Sequence, residues 1–436
     1  MTAPPGARAA RTWDGRVERR CTTAASGPAG NVRSVNEQQT GAPRLSDVVR
    51  ILDALYPPGT AESWDAVGTA CGDPRQPVGR VLFAVDPTAE VVDEAVSWGA
   101  DLLVTHHPLL LRAVHSVAAT TFKGEIVHRL IRAGVALHVA HTNADAASRG
   151  VADALAATIG LGDVGPLVAA PIEPLDQLVV FVPEPSTEVL VDALAAAGAG
   201  ALGEYRRCAW TVTGEGTFTP SDAAEPAIGS PGRQERVREA RVEMVAPRRR
   251  RREVLAALRA AHPYEEPAFQ VLELAGWDGV TGLGRVGRLP EPVTLRQFAE
   301  TVARVLPSTV QGVRVAGELE AEVSLVAVLG GSGDSLFDAV RASGADVYLT
   351  SDLRHHPVSE LRERAEFEAR SGARPRATPY LVDVPHFASE WPWLDGAARD
   401  LRASLALVGT TVETRVSTRR TDPWTARLAS SEGTTL

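Results

Sequence analysis

The sequence predicts an α/β fold in which two related α/β halves form one body with an inserted ferredoxin-like α+β domain. Apolar strands alternate with amphipathic helices, as in mostly parallel sheets that helices cover. A near copy of one strand, helix, strand unit returns later in the chain: Gly99–Thr105 and Gly344–Thr350 both read Gly-Ala-Asp, then an apolar strand ending in Thr. Between the copies lie two further strand, helix, strand units, the order expected of a ferredoxin-like domain.

Length and composition restrict the class of protein. The 436 residues, 44% hydrophobic and 23% charged, are typical of a globular protein of two or three domains. The net charge of -9 argues against a general nucleic-acid binder. The three cysteines are widely spaced, which excludes a disulfide framework and a CxxC zinc module and fits a reducing cytoplasm. No apolar run is long enough to predict a membrane span, and the Arg-rich start lacks the apolar segment of a secretory signal.

Composition and periodicity divide the chain into five parts. They are a disordered leader (1–44), a first α/β half (45–174), the inserted domain (175–278), a second α/β half (279–417) and a flexible tail (418–436).

The first half shows alternating helix and strand patterns. In order they are helix 45–56, strand 78–85, helix 88–98, strand 101–105, helix 124–133, strand 135–140 and helix 150–159.

The second half repeats part of this series with strand 323–330, helix 335–343, strand 346–350 and a further strand at 380–384. Helix and strand are joined by SWGAD in the first copy and by ASGAD in the second. Aligning the copies sets His106 and His107 opposite Ser351 and Asp352, so the later pair His355-His356 is not their counterpart.

The inserted segment contributes strands at 178–182, 205–213, 238–245 and 268–274 and helices at 187–197 and 250–261. A Gly/Pro/Ser-rich loop is predicted at 217–232. Cys208 falls in a predicted strand and is expected in the core. The run Arg248–Arg252 is interpreted first as a solvated surface charge run, with a phosphate-facing role as the alternative.

Possible metal ligands follow the ends of three predicted strands: His106 and His107, then His141 or Asp145, then His386 with Glu390. Ligands bind at that edge of open α/β sheets. A helical turn would place His386 and Glu390 on one face, since they are four residues apart. Two or three imidazoles and two carboxylates suit a pair of divalent ions about 3.5 to 4 Å apart.

These same segments resemble the Nif-three-like family, also called GTP cyclohydrolase I type 2 homologues or dinuclear metal centre hexameric proteins. The motifs are SWDAVG, GADLLVTHHPLLL, HTNADAASRGVADALA, TSDLRHH and PHFASEW. They occur in the family's order over most of residues 45–417. The middle segment, with YRRCAWTVTGEGTF and HPYEEPAF, is similar to the inserted domain of the longer family members.

The resemblance implies a dinuclear centre in a homohexamer. It implies that His106 and His107 each bind one metal, that Asp145 joins the second of these, and that His386 and a bridging Glu390 complete the pair. It makes His141 a neighbour of the site and places His356 near the metals. Ser351 and Pro385 replace glycines that are usual in the family, and Pro385 is expected to re-aim His386 slightly.

Two functional hypotheses follow. The first is a metal-dependent hydrolase of a nucleotide-like small molecule, for which the resemblance suggests opening of the GTP imidazole ring. The alternative is a metal-binding hexameric scaffold or regulator without turnover. The ligand types leave zinc, iron, manganese and nickel open. Leu329–Asp334, Gly-rich and lying between a strand and a helix, is interpreted as a tight turn rather than an anion cradle.

Overall fold

The computed structural model describes residues 42–428, which belong to one compact unit. Most of the predicted leader and the end of the predicted tail therefore lie outside the described residues. The fold is α/β, as predicted, with helices covering two mixed sheets and a third sheet formed by the inserted segment. Within residues 42–428, no helix combines the length and apolarity needed to cross a bilayer.

The first part of the chain folds as alternating helices and strands. In order they are α1 (Leu45–Leu55), β1 (Gly68–Cys71), β2 (Arg80–Ala84), α2 (Ala89–Trp98), β3 (Leu102–Thr105), α3 (Phe122–Ala133), β4 (Ala136–Val139), α4 (Thr142–Ala146), α5 (Val151–Thr158) and β5 (Gly162–Pro171).

The inserted segment follows with β6 (Leu175–Pro183), α6 (Thr187–Ala196), β7 (Trp210–Phe218), β8 (Glu235–Pro247), α7 (Arg251–Ala261) and β9 (Phe269–Glu273). The last part holds β10 (Asp278–Thr294), α8 (Leu295–Val305), β11 (Arg314–Ala316), β12 (Glu322–Ser332), α9 (Phe337–Ser343), β13 (Val347–Ser351), α10 (His355–Arg370), β14 (Tyr380–Val384), α11 (His386–Glu390), α12 (Trp393–Leu407) and β15 (Glu413–Val416).

The repeated Gly-Ala-Asp motif has the same structural role in both copies. Gly99 and Gly344 end α2 and α9 in the left-handed region, with φ of 72° and 75°. Such a φ favours glycine. The aspartate of each motif accepts backbone hydrogen bonds near the start of the neighbouring strand. Asp101 Oδ2 accepts them from the N–H groups of Gly79 and Arg80. Asp346 Oδ2 accepts them from the N–H groups of Ser324 and Leu325. The repeat therefore encodes one strand–helix–strand unit twice.

The two large sheets exchange strands. The first has the order β1-β4-β3-β2-β15, and the second β11-β14-β13-β12-β10-β5. Thus β15, from the end of the chain, pairs with β2, while β5 pairs with β10. The predicted halves consequently share one body, although the predicted domain bounds do not coincide with the sheets.

The inserted segment builds its own layer of helices on a four-stranded antiparallel sheet of order β7-β8-β6-β9. With the chain order β, α, β, β, α, β, this is the connectivity of a ferredoxin-like motif. Its core contains Leu178, Val180, Leu190, Val242 and Leu258.

Two details of this segment differ from the predictions. The second strand begins at Trp210, because Leu202–Tyr205 form a turn closed by mutual backbone hydrogen bonds. Cys208 accordingly lies outside the strand and is only partly buried. Arg249, Arg250 and Arg252 of the Arg run are exposed, in keeping with a surface charge run, while Arg248 and Arg251 bind Asp176, at 3.1 and 2.6 Å.

Candidate metal centre

The candidate centre lies where β3, β4 and β14 end, so both large sheets contribute to it. His106 and His107 follow β3, His141 and Asp145 follow β4, and His386 and Glu390 lie on α11 after β14. The five-residue turn α11 sets His386 and Glu390 on one face, with Nε2 and Oε1 2.9 Å apart. Its N-cap, Pro385, has an ordinary φ of -58°. All five ligands that the resemblance implies are brought together.

Every histidine of the cluster has its Nδ1 engaged. Nδ1 lies 3.0 Å from the Ala140 carbonyl in His106, 2.7 Å from Asp86 in His107, 2.7 Å from Asp352 in His386 and 2.8 Å from Asp65 in His141. Such partners fix the imidazole tautomer and leave Nε2 free, as is usual for metal-binding histidines.

The free nitrogens converge on Glu390, which is 2% exposed. Its Oε1 is 3.4 Å from His106 Nε2, and its Oε2 is 3.1 Å from His107 Nε2. His107 Nε2 and His386 Nε2 are 3.3 Å apart. Two nitrogens at about 2.05 Å from one tetrahedral ion are separated by about 3.3 Å. These two imidazoles are thus spaced as ligands of a common ion.

Asp145 belongs to the other side of the cluster. Its Oδ1 is 3.7 Å from His106 Nε2. The geometry therefore groups Asp145 with His106, rather than with His107 as the resemblance implies, and leaves Glu390 between the two groups.

The electrostatics of the cluster favour positive charge. Burial opposes protonation of His107 and His386, yet Glu390 together with Asp86 at His107 and Asp352 at His386 outweighs it and raises the pKa of His107 to about 11 and of His386 to about 10. The same histidines hold the pKa of Glu390 well below its usual range despite its burial. Burial raises the pKa of Asp145 to about 6. A divalent cation would meet this demand for positive charge.

Three buried atoms in the cluster test the fit to a metal. His106 Nε2, Asp145 Oδ1 and Glu390 Oε2 have no hydrogen-bond partner. Unpartnered buried polar atoms are costly, so a native protein normally satisfies them. All three are good ligand atoms for a divalent ion. The residues present therefore fit a metal, and two sets of side chains in the cluster, His106, His107 and His141 and then His107, His386 and Glu390, are grouped closely enough to hold an ion.

Gly331 gives the cluster its space. Its φ is 70°, and a Cβ built there would lie 2.7 Å from Glu390 Oε1 and 3.2 Å from His386 Nε2. Its N–H donates to Ser389 on α11 at 2.9 Å. The Gly-rich segment is thus the irregular end of β12 packed against the ligand helix, rather than the predicted tight turn, because Leu329–Ser332 still belong to the strand.

His141 lies directly beside the cluster. Its ring centroid is 5.1 Å from that of His106 and 5.5 Å from that of His107. Burial lowers the pKa of His141 to about 4, so the ring is neutral near neutral pH. Asp65, from the SWDAVG motif, contacts its Nδ1. The same carboxylate accepts hydrogen bonds from the N–H and the hydroxyl of Thr142, which fix its position. His141 is therefore placed to act beside the ligands.

The structure does not bring His356 into the cluster. It is exposed in the first turn of α10, where its ring lies 5.1 Å from that of His355. The residue that reaches the site from this segment is Asp352, which binds His386 and has a left-handed φ of 54°. Strained backbone of this kind is common at functional sites.

Sequence reasoning assigned no role to Asp86 or Asp352, although each follows a strand end. The alignment of the copies contained a signal for one of them, since it sets Asp352 opposite His107. A cavity of about 490 Å³ opens onto the cluster and is lined by His107, His141 and His386.

Comparisons with known proteins agree with the motifs. Residues 43–423 match the model of a family described as Duf34/NIF3 (NGG1p interacting factor 3). The chain is 50% identical over 387 residues to a Mycobacterium tuberculosis protein named "GTP cyclohydrolase 1 type 2 homolog", covering 87% of this chain and 96% of that protein.

Solved structures give the same result. The Bacillus cereus protein related to NIF3 is 35% identical, with a TM-score of 0.65, over 88% of this chain and 99% of that one. Staphylococcus aureus protein SA1388 is 26% identical, with a TM-score of 0.72, over the same shares.

Proposed function

Since this chain belongs to the Duf34/NIF3 family, we propose that it binds two divalent metal ions and is a metal-dependent hydrolase of a nucleotide-like small molecule. The observation that carries the proposal is the position of Glu390. This buried carboxylate has Oε1 toward His106 and His386, at 3.4 and 2.9 Å, and Oε2 toward His107, at 3.1 Å, so it lies between the histidines as a bridging ligand would.

The residues divide into two ligand groups around that bridge. His106 and Asp145 would hold one ion, His107 and His386 the other, and Glu390 both. Two divalent ions would supply Lewis acidity and lower the pKa of a bound water toward neutrality. Mixed nitrogen and carboxylate ligands suit zinc, iron, manganese or nickel.

His141 supports a hydrolytic role. Asp65 occupies its Nδ1, which leaves Nε2 able to accept a proton or a hydrogen bond at the wall of the cavity. A neutral imidazole held in one orientation is suited to general acid–base chemistry. We assign to His141 the acceptance of a proton from the reacting group.

A nucleotide-like substrate is consistent with the size of the cavity and with the names of the relatives. The volume of about 490 Å³ is within the range of small-molecule sites. The relatives named as GTP cyclohydrolase 1 type 2 homologs suggest a purine nucleotide.

The direct test is turnover of GTP and other nucleotides by purified protein supplied with zinc, manganese or iron. We expect product from the parent, at least a hundredfold less from His107→Ala (about 2.7 kcal/mol), and parental activity from the matched control His356→Ala. The control changes an exposed histidine outside the cluster. No product with any metal, or equal activity in the parent and His107→Ala, would reject the hydrolase.

The alternative remains a metal-binding scaffold or regulator in a hexamer. The separate core of the inserted domain favours it, because a second globular unit far larger than a loop is not needed for metal binding. In that case metal removal changes the assembly measured by light scattering, while no nucleotide is consumed. The proposed hexamer and a cytoplasmic location are compatible with either function.

A further inference from the structure

We propose that Trp64 and Trp424 form an aromatic binding site for a planar ring of the ligand at the metal centre. This inference rests on the proposed function, because the ring would be carried by a molecule bound to the metals. Both indoles line the cavity that His107, His141 and His386 also line. The indoles would therefore contact the part of the ligand that does not touch the metals, and so discriminate between ligands by that part.

Exposure is the first argument. Trp64 is 58% exposed and Trp424 is 63% exposed. Tryptophan usually buries most of its large surface, and exposed aromatic rings in a concave site are typical of ligand binding. Stacking on a ring face is also tolerant of the identity of the partner ring.

Trp64 is fixed by its neighbour in the chain. Asp65 accepts hydrogen bonds from Thr142 and pairs with His141, which anchors the loop that carries Trp64. The Trp64 ring meets His141 edge-on, with centroids 5.9 Å apart and planes at 80°. Because Trp64 is 58% exposed and lines the cavity, part of the indole surface is available there.

Trp424 arrives from the segment that follows β15. The segment is tied to the first sheet, because Ser417 N–H donates to the Phe83 carbonyl at 2.8 Å and the Ser417 hydroxyl to Glu94 at 2.7 Å. Further along, the Thr421 hydroxyl donates to Asp86, the carboxylate that holds His107. The described part of the predicted tail thus crosses the mouth of the metal site.

The remaining lining indicates the chemistry of the ring. Asp86, Asp352 and Asp422 line the cavity, whereas no lysine or arginine within residues 42–428 does so. Asp422 Oδ2 is buried without a hydrogen-bond partner. Asp86 and Asp352 already bind His107 and His386, so Asp422 is the acceptor that suits a heterocycle carrying N–H donors. A phosphate group would have to be neutralised by the metals rather than by side-chain cations.

Two chelators that differ only by a ring provide the test. Acetohydroxamate and benzohydroxamate bind metal through the same group, and only the second brings an aromatic ring. Calorimetric titration of zinc-loaded protein would give both affinities in the parent, Trp64→Ala, Trp424→Ala and the matched control Trp210→Ala, which removes an indole of similar exposure, 57%, from the inserted domain.

We expect the parent and Trp210→Ala to prefer benzohydroxamate by about tenfold or more, on the scale of aromatic stacking. Trp64→Ala and Trp424→Ala should each reduce that preference at least fivefold while leaving acetohydroxamate affinity unchanged. An equal preference in all four proteins, or none in the parent, would overturn the aromatic site alone. Failure of both chelators to bind would instead contradict the metal centre, and the inference with it.

Discussion

Gly331 shows at the scale of one residue how tightly the candidate centre is built. Its α-hydrogen faces the carboxylate and imidazole that would share an ion, and there is no room for a methyl group. Gly344 offers a matched comparison, because its φ of 75° is similar and a Cβ there would meet nothing within 4 Å.

We expect Gly331→Ala to weaken zinc binding at least about tenfold, as loss of correct ligand orientation does. Gly344→Ala should bind zinc like the parent, although the left-handed φ costs both variants about 1 to 2 kcal/mol of stability. Titration with a competing zinc indicator would measure this. Equal zinc affinity in the two variants would show that Gly331 matters only through its backbone.

The histidines of the candidate centre could be singled out from the sequence, and their carboxylate partners could not. His106, His107 and His386 stand out because ligand-capable imidazoles follow the ends of separate apolar strands, where ligands bind in open α/β sheets. Asp86 and Asp352 look like ordinary polar residues at the ends of strands. Only the fold shows that each one meets a histidine Nδ1.

At the scale of elements, Arg285 on β10 joins the first and second parts of the chain. Its side chain is 2% exposed and makes two hydrogen bonds to Asp153 on α5, at 2.6 and 2.8 Å. It also donates to the carbonyls of Ala147, Gly282 and Gly284. Removal of the carboxylate would leave a buried cation without its counter-ion.

We therefore expect Asp153→Ala to lower the free energy of unfolding by about 3 kcal/mol, the usual cost of breaking a buried ion pair. Urea unfolding followed by circular dichroism would measure it. Glu320→Ala is the control, because its pair with Arg296 is exposed and should be worth less than about 1 kcal/mol. Similar losses in both variants would mean that Arg285 has no special role.

Strand exchange explains why part of the fold was not predictable from local patterns. The 17-residue β10 contains four glycines and two prolines and lacks simple alternation, so its sequence does not read as a strand. It is stabilised by pairing with β5 on one side and β12 on the other. The parallel units around the Gly-Ala-Asp repeat were predictable because their contacts are local and repeated.

At the scale of the whole molecule, the account depends on one centre shared by the two large sheets. His106, His107 and Asp145 follow strands of the first sheet, and His386 and Glu390 follow a strand of the second. A bound metal would therefore link the sheets directly. The duplication and a site shared by the two halves were predicted from the sequence, whereas the exchange of β5 and β15 between the sheets was not.

Elemental analysis of protein purified without added metal tests this claim most directly. We expect two divalent ions per chain in the parent and in His356→Ala, and almost none in Glu390→Ala, because its carboxylate would serve both ions. A parent free of metal under conditions that do not strip ions, or a Glu390→Ala variant with the parental metal content, would contradict the account.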